Sequence, residues 1–455
     1  MTWSMWYMPL HDTLFIHSDA RVKVIGSEQL WRFESFTLLY LNGGRANGRN
    51  RGRARMRIAL MTEPFLPKID GIVTMLTKTV ECLRRRGDEV LIFAPSGGPK
   101  ELYGAEVVGL PSVRFPLYPE LRLALPRASM RAKLEAFEPD IMHLFEPALL
   151  GIGGLYYSQV LKIPLVISSH TNLPAYLRYY KLGVLERLTW SLMRERHWRA
   201  NLNLCTSTVT MNDLQTHGIK DLALWERAVD STLFAPSAKS AERRNILSDG
   251  EPEKPLLLYV GRLSAEKEVS RLRDVILALT DARLAIVGDG PMRQELERHF
   301  KGTPTVFTGY LRGGALAEAY ASADLFVMPS KTETLGLVLL EAMAAGCAVV
   351  ACRAGGVPDA VQDGVTGFLF EADDPNGLIN TVKRAMSSTT DLEAVRIRAR
   401  QDVEQHSWEG ATDQLRELYA ETIKNWAPKR RDKPAGVVKR IACKATLSAL
   451  RTLLP

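Results

Sequence analysis

Short apolar runs alternate with helix-length stretches along this chain; the alternation stops midway and then starts again. Arg57-Ile-Ala-Leu-Met61 opens it, followed by a Pro/Gly turn over 64–71 and a helical pattern (Val73, Met75, Leu76, Val80, Leu83) that ends near Gly87. Further runs are Glu89–Ala94, Asp140–Leu144 and Pro164–Ser168, with a helix-compatible stretch over 148–161. Unbroken apolar runs suit strands buried on both faces, and helices between them cover a parallel sheet. A polar stretch with Pro236, Gly250, Pro252 and Pro255 reads as a hinge or linker over 235–255. The rhythm then resumes with Leu256–Val260, Arg283–Val287, Val306–Thr308, Leu325–Met328 and Ala348–Ala351. The expected fold class is therefore α/β, with two doubly wound, Rossmann-like domains facing across a deep cleft. Their expected bounds are 56–245 and 246–405. A helix over 406–426 should cross back to the first domain, with a flexible extension at 1–55 and a basic tail at 427–455. Open sheets of this kind bind ligands beyond the carboxyl ends of their strands, so both binding edges should line the cleft.

Composition narrows the function classes. The chain has 455 residues, 46% apolar and 24% charged, which suits a soluble globular protein that needs no disulfide or structural metal for its core. Its five cysteines (82, 205, 347, 352, 443) form no CxxC pair, against a zinc ribbon or a secreted disulfide scaffold. No apolar run approaches the roughly 18 to 20 residues of a spanning helix. His11, Asp12, His17 and Asp19 interrupt the first apolar stretches and no basic residue precedes Arg21, so a secretory signal is not expected. Arginines 45, 49, 51, 53, 55 and 57 read as a flexible basic linker. The net charge is +8, and the excess gathers from Lys424 onward with no nucleic-acid motif beside it, so no nucleic-acid partner is expected. No G-x-G-x-x-G follows a first strand, which disfavours an NAD-dependent enzyme; Gly288-Asp-Gly290 reads as a short loop cap.

Two strings in the second half carry chemistry. Val260-Gly-Arg-Leu-Ser-Ala-Glu-Lys267 sets Gly261 at a strand end, Arg262 next to it, and Lys267 at the expected start of a helix. Two cations beside a helix N-terminus make a cradle for a diphosphate, because backbone N–H groups and the dipole add to the side-chain charge. In Ser330-Lys-Thr-Glu-Thr-Leu-Gly-Leu-Val-Leu-Leu-Glu341, seven residues separate Glu333, in a loop after a strand, from Glu341, in the helix that begins near Gly336. A loop acid can accept hydrogen bonds from sugar hydroxyls, and one further along the helix can reach a ribose diol. Gly336 between them would allow close backbone approach by a ligand.

These strings, GR-x4-K followed by E-x7-E, resemble the family-4 retaining glycosyltransferases of GT-B fold, and the likeness runs from about 57 to 425. Within that family the chain looks most similar to the sulfoquinovosyltransferases of cyanobacteria and plastids. The similar stretches are Pro64–Gly71, Phe115–Pro126, Leu202–Ser207, Tyr259–Lys267 and Thr332–Gly346. The resemblance implies that Gly261, Arg262 and Lys267 hold the donor diphosphate, with both cations stabilising it as a leaving group. Glu333 would contact the donor sugar, with Leu335 and Gly336 beside it, and Glu341 would bind the ribose. Gly71, in the loop after the first strand, would let that loop approach donor and acceptor, and His170 would stand at the active-site face of the first domain as a catalytic residue. The segment Trp225–Asp230 departs from the family, which usually has Gly at the position of Ala228; a positive φ there would strain alanine.

The implied reaction moves sulfoquinovose from UDP-sulfoquinovose to diacylglycerol, with retention, to form sulfolipid. Alternatives are another family-4 lipid glycosyltransferase using UDP-glucose, UDP-galactose or GDP-mannose, or a catalytically silent GT-B binding protein. No DxD triplet occurs, so neither metal nor other cofactor is expected beside the nucleotide-sugar substrate. Lys68, Lys331 and Arg178 are candidate cations for the sulfonate by neighbourhood alone. Two stretches could dock at an anionic lipid surface: Ala175–Leu182 with Leu185, Leu188, Trp190, Leu192 and Met193, and the tail with Lys439, Arg440, Lys444 and Arg451. The expected location is peripheral on a plastid or cyanobacterial membrane, facing stroma or cytoplasm. Nothing in the sequence speaks to oligomeric state.

Overall fold

The computed structural model describes residues 55–426 apart from 69, 116–117, 147 and 172–185. The extension at 1–54, the tail at 427–455, the stretch 175–182, Arg178 and Leu185 lie outside the described residues.

The first domain contains β1 (Arg57–Thr62), β2 (Glu89–Pro95), β3 (Glu101–Leu102), β4 (Ala105–Leu110), an antiparallel pair β5 (Ser112–Phe115) and β6 (Tyr118–Ala124), then β7 (Ile141–Phe145), β8 (Leu165–Ser169), β9 (Leu202–Cys205) and β10 (Leu222–Leu224). Its main sheet has the order β10-β9-β8-β7-β1-β2-β4-β3, parallel except for β3 against β4. The helices are α1 (Gly71–Arg85), α2 (Ser129–Phe137), α3 (Leu149–Leu161), α4 (Glu186–His197) and α5 (Thr208–Thr216). The second domain contains α6 (Ala241–Leu247), β11 (Leu256–Val260), α7 (Leu272–Leu277), β12 (Arg283–Val287), α8 (Arg293–His299), β13 (Thr305–Gly309), α9 (Gly313–Ser322), β14 (Leu325–Met328), α10 (Leu337–Ala344), β15 (Ala348–Cys352), β16 (Phe368–Phe370), α11 (Gly377–Ala385) and α12 (Leu392–Val403). Its sheet runs β13-β12-β11-β14-β15-β16, parallel throughout.

Burial explains why the strands were legible. Every residue of β7, β8, β11, β14 and β15 is buried, and a fully buried Leu, Ile or Val stabilises by about 1.5–3 kcal/mol. Helix α1 is fixed at its start by Asp70, whose carboxylate accepts from the Val73 N–H at 2.8 Å, and Arg84 and Arg85 complement its last turn. Among the parallel strands of each sheet the order reverses once, between β1 and β7 and between β11 and β14. A crevice opens at such a switch point, which is where ligands of these sheets bind.

Three expectations change here. The stretch 235–255 is not a bare linker: Pro236–Ala238 forms a 3-10 turn and α6 packs on α9. The chain thus enters the second domain before Pro236 rather than at 245. Gly71 is not in a loop but is the first residue of α1. Ala228 is buried and is absent from the described residues with positive φ, so alanine carries no left-handed strain there.

The last helix, α13 (Trp408–Lys424), lies on α1. Its Arg416 forms a bidentate pair with Asp88 at 2.7 and 3.1 Å, and the two side chains are 5% and 0% exposed. Arg86 and Asp413 add a second, more exposed pair, and the Trp225 indole N–H donates to the Ala411 carbonyl at 3.1 Å.

Candidate active site

Both switch points present charged loops, and the second carries the pieces picked from the sequence. Arg262 and Lys267 follow β11, while Glu333 follows β14. Lys267 Nζ lies 2.8 Å from Glu333 Oε2, and both side chains are largely buried. Arg262 sits 3.6 Å from the buried Glu266 carboxylate. The Glu266 carbonyl accepts from Ser330 and Thr332 at 3.3 Å each, which ties the cationic loop to the acidic one.

The helix expected at Lys267 is not there. Ala265–Lys267 is a single 3-10 turn, Glu268 then takes a left-handed φ of 50°, and regular α-helix begins only at Leu272. The Glu266 side chain turns back to accept from Ser264, which competes with continued helix. The N-terminal dipole nearest Glu333 belongs instead to α10, where Glu333 accepts from the Gly336 N–H at 3.1 Å. Burial pushes the Glu333 carboxyl up, but the Lys267 charge and hydrogen bond, with the Gly336 and Leu335 N–H groups, outweigh it and hold the acid below its ordinary range. Glu333 is therefore a carboxylate. Glu341 differs: burial raises it to about 7, only partly opposed by the Tyr320 hydroxyl that donates to it at 3.0 Å.

Two glycine pairs make this geometry possible. A Cβ on Gly288 would fall 1.9 Å from the Gly261 carbonyl oxygen, and one on Gly290 would fall 2.4 Å from that of Leu263. Gly288-Asp-Gly290 is thus no loop cap; it lets its loop lie flush under Gly261 and Arg262, where Leu263 N–H donates to the Asp289 carbonyl. Gly355 and Gly356 do the same beneath Glu333 and Thr334, at 2.0 and 2.2 Å. The visible signal was a glycine pair following a strand in each case. Gly261 itself is needed because a Cβ would meet the Tyr259 hydroxyl, which donates to the Arg262 carbonyl.

The first domain closes over this loop. Gly71 faces Leu335, 3.4 Å from where a Cβ would sit, and the Thr334 hydroxyl donates to the His170 carbonyl. Arg227, beside Ala228, donates to the Gly356 and Leu335 carbonyls, and Asp359 accepts from the Thr208 backbone N–H at 2.7 Å. Nothing local in the sequence marks Arg227, because the carbonyls it binds lie more than a hundred residues away. His170 stands at the end of β8 as expected, but its ring is buried. It stacks on Phe145 with centroids 4.3 Å apart, and Nε2 lies 2.8 Å from the Ser168 hydroxyl. Burial pushes its pKa down to about 3, so the ring is neutral. Its main chain is held by Glu146, which accepts from the His170 and Thr171 N–H groups at 2.6 and 3.0 Å. Of the sulfonate candidates, Lys68 pairs with Asp70 and Lys331 is exposed. Among the described residues no three His, Cys, Asp or Glu side chains are grouped to hold a metal ion.

Two facing doubly wound sheets with an ion-paired, glycine-lined cleft define a two-domain nucleotide-sugar transferase fold. Residues 69–233 match the family model "Glycosyltransferase Family 4" and 254–388 match "Glycosyl transferases group 1". The sulfoquinovosyl transferase SQD2 of Arabidopsis thaliana is 40% identical over 386 residues, covering 82% of this chain and 75% of that relative. A GDP-mannose-dependent alpha-mannosyltransferase of Mycolicibacterium smegmatis is 42% identical over 326 residues, covering 70% of this chain and 85% of its own length. Among solved structures, Anabaena HepE in complex with UDP-glucose superposes with a TM-score of 0.67 at 20% identity, covering 81% of this chain and all of that one. The chain belongs to the family-4 glycosyltransferases, enzymes of GT-B fold.

Proposed function

We propose that this chain transfers sulfoquinovose from UDP-sulfoquinovose to diacylglycerol with retention of anomeric configuration, working peripherally on a plastid or cyanobacterial membrane. The observation that carries the reading is the partly buried Lys267–Glu333 pair at the second switch point, with Arg262 beside it. The likeness to a plant sulfoquinovosyl transferase over most of the chain supports the donor. No helix among the described residues is long and apolar enough to cross a membrane.

In the proposed reaction the C1–oxygen bond to the diphosphate stretches first, its electrons pass to the phosphate oxygen, and Arg262 and Lys267 stabilise that charge. The acceptor hydroxyl then attacks the oxocarbenium-like carbon from the same face, and its proton passes to the departing phosphate. Glu333 orients the sugar as a carboxylate. No metal is assigned a part. A second reading, a GDP-mannose donor, is favoured by the 42% identity to the mannosyltransferase.

Labelled UDP-sulfoquinovose, UDP-glucose, UDP-galactose and GDP-mannose, each offered with diacylglycerol, separate the two. Transfer from UDP-sulfoquinovose, unchanged by chelator, is expected. Turnover only with a neutral hexose donor would overturn the sugar assignment and leave the reaction class standing.

Glu341 makes the donor site pH-dependent. Its pKa of about 7 leaves it protonated below that value, and a neutral acid is the weaker acceptor for a ribose diol. Donor KM is expected to fall as pH rises from about 6 to about 8, and the Glu341→Gln variant should show a flat profile. Parallel profiles for both proteins would assign the dependence elsewhere.

A further inference from the structure

The strand end at His170 needs hydrogen-bond acceptors that the sheet does not supply. β8 stops at Ser169, so the N–H groups of His170 and Thr171 lie past the last ladder pair, Ser169 beside Cys205. Main-chain N–H groups taken out of water need a partner. Glu146, the residue after β7, serves both. Its Oε2 accepts from His170 at 2.6 Å and from Thr171 at 3.0 Å. The Glu146 backbone bends for this. Its own N–H donates to the Ser168 carbonyl at 3.1 Å, which keeps the residue on the edge of β8. Its φ is 53°, a left-handed value that a residue with a Cβ adopts at a cost. Such strain persists where the surrounding structure requires one conformation.

What the held strand end presents to the second domain is a carbonyl rather than an imidazole. The His170 ring stacks on Phe145 and bonds Ser168, while the His170 carbonyl accepts from the Thr334 hydroxyl. Thr334 stands between Glu333 and Leu335 in the loop after β14, and its own carbonyl lies 2.2 Å from where a Cβ on Gly356 would be. The backbone of Thr334 is thus fixed by its own domain and its side chain by the first one. Glu333 is the next residue back, held by Lys267 and the Gly336 N–H. A continuous relay therefore runs from the Glu146 carboxyl through the His170 main chain and the Thr334 hydroxyl to the backbone that carries Glu333.

We infer that Glu146 is a positioning residue for the transfer: it fixes the His170 main chain, which holds Thr334 and so sets where the Glu333 carboxylate meets the donor sugar. The inference rests on the reading of Glu333 as the acid that orients the sugar. Glu146 acts here as a hydrogen-bond acceptor, not as a charge. Burial raises its carboxyl to about 7, with the His170 and Thr171 N–H groups the leading influences against that rise. A neutral carboxyl still accepts through its carbonyl oxygen, so an amide of the same shape should replace it.

The test is steady-state kinetics of the full chain with UDP-sulfoquinovose and diacylglycerol, beside calorimetric titration of UDP. Glu146→Ala should lower kcat about tenfold to a hundredfold, the scale of a misplaced orienting group. Its UDP affinity should stay within about twofold of wild type, because Arg262 and Lys267 are untouched and only a transition-state contact is disturbed. That retained affinity also shows that the variant folds. Glu146→Gln should keep kcat within about threefold of wild type. Thr334→Val leaves the strand end alone and should lose as much as Glu146→Ala. The Glu146→Ala/Thr334→Val double variant should be no slower than the slower single one, since both break one relay. Wild-type kcat in Glu146→Ala or in Thr334→Val would overturn the inference, as would losses that multiply in the double variant. An equal loss in Glu146→Gln and Glu146→Ala would mean that the charge itself acts, and would overturn it too. UDP affinity falling in step with kcat would reduce Glu146 to a cap on the strand end. Turnover by wild type with GDP-mannose alone would sink the sugar assignment, and the same variants assayed with that donor would then decide the inference.

Discussion

Replacing Lys267 with alanine is expected to lower kcat by about a hundredfold to a thousandfold, the scale on which a preorganised group facing developing charge acts. Two losses combine. The leaving diphosphate loses a cation that Arg262 cannot replace alone, since Arg262 already borders Glu266. Glu333 also loses the partner 2.8 Å away that keeps it ionised. Burial, the largest influence on that carboxyl and now weakly opposed, would drive it upward toward a protonated state. The variant should therefore show a new acidic limb in its pH–rate profile, the rate rising with pH as the Glu333 carboxylate is restored. A steady-state profile of kcat against pH in both proteins checks this. Near-wild-type kcat would mean that the pair is structural.

The second large effect is on stability. Arg416→Ala removes the guanidinium that faces Asp88, and leaves a carboxylate with 0% side-chain exposure. Breaking a buried pair from one side costs about 3–5 kcal/mol, because the remaining carboxylate loses its counter-charge and keeps only the Met56 N–H at 3.1 Å. The damage should fall on the docking of α13 against α1, so the C-terminal helix would detach at lower denaturant than the rest. Denaturant unfolding followed by tryptophan fluorescence, with Trp225 and Trp408 near that contact, measures it. Replacing Asp88 and Arg416 together with apolar residues of similar size should cost much less. Equal losses in the single and double variants would contradict the uncompensated-charge account.

How much of this was legible in the sequence depends on what each feature rests on. The strands that read clearly, such as Leu256–Val260 and Leu325–Met328, are buried on both faces, so composition alone marks them. Strands β10 and β16 have three residues each, too short for any periodicity to show. Arg262, Lys267, Glu333 and Glu341 were visible because their spacing is local. Arg227 and Glu146 were not, since one acts through carbonyls more than a hundred residues away and the other through backbone N–H groups of the next strand. The helix start at Lys267 was misread because Glu266 and Glu268 hydrogen-bond locally and turn the backbone, which no propensity sum reveals. Gly288 and Gly290 read as a loop cap, and nothing in the sequence singled out Gly355 and Gly356. Their role is the approach of two backbones, and that needs the partner chain segment in view.

The account turns on who holds the diphosphate, and calorimetric titration of UDP and of uridine into two proteins asks that directly. Wild type should bind UDP far more tightly than uridine. In the Arg262→Ala/Lys267→Ala double variant, UDP affinity should fall to that of uridine while uridine binding stays unchanged. UDP binding by the double variant as tight as by wild type would contradict it.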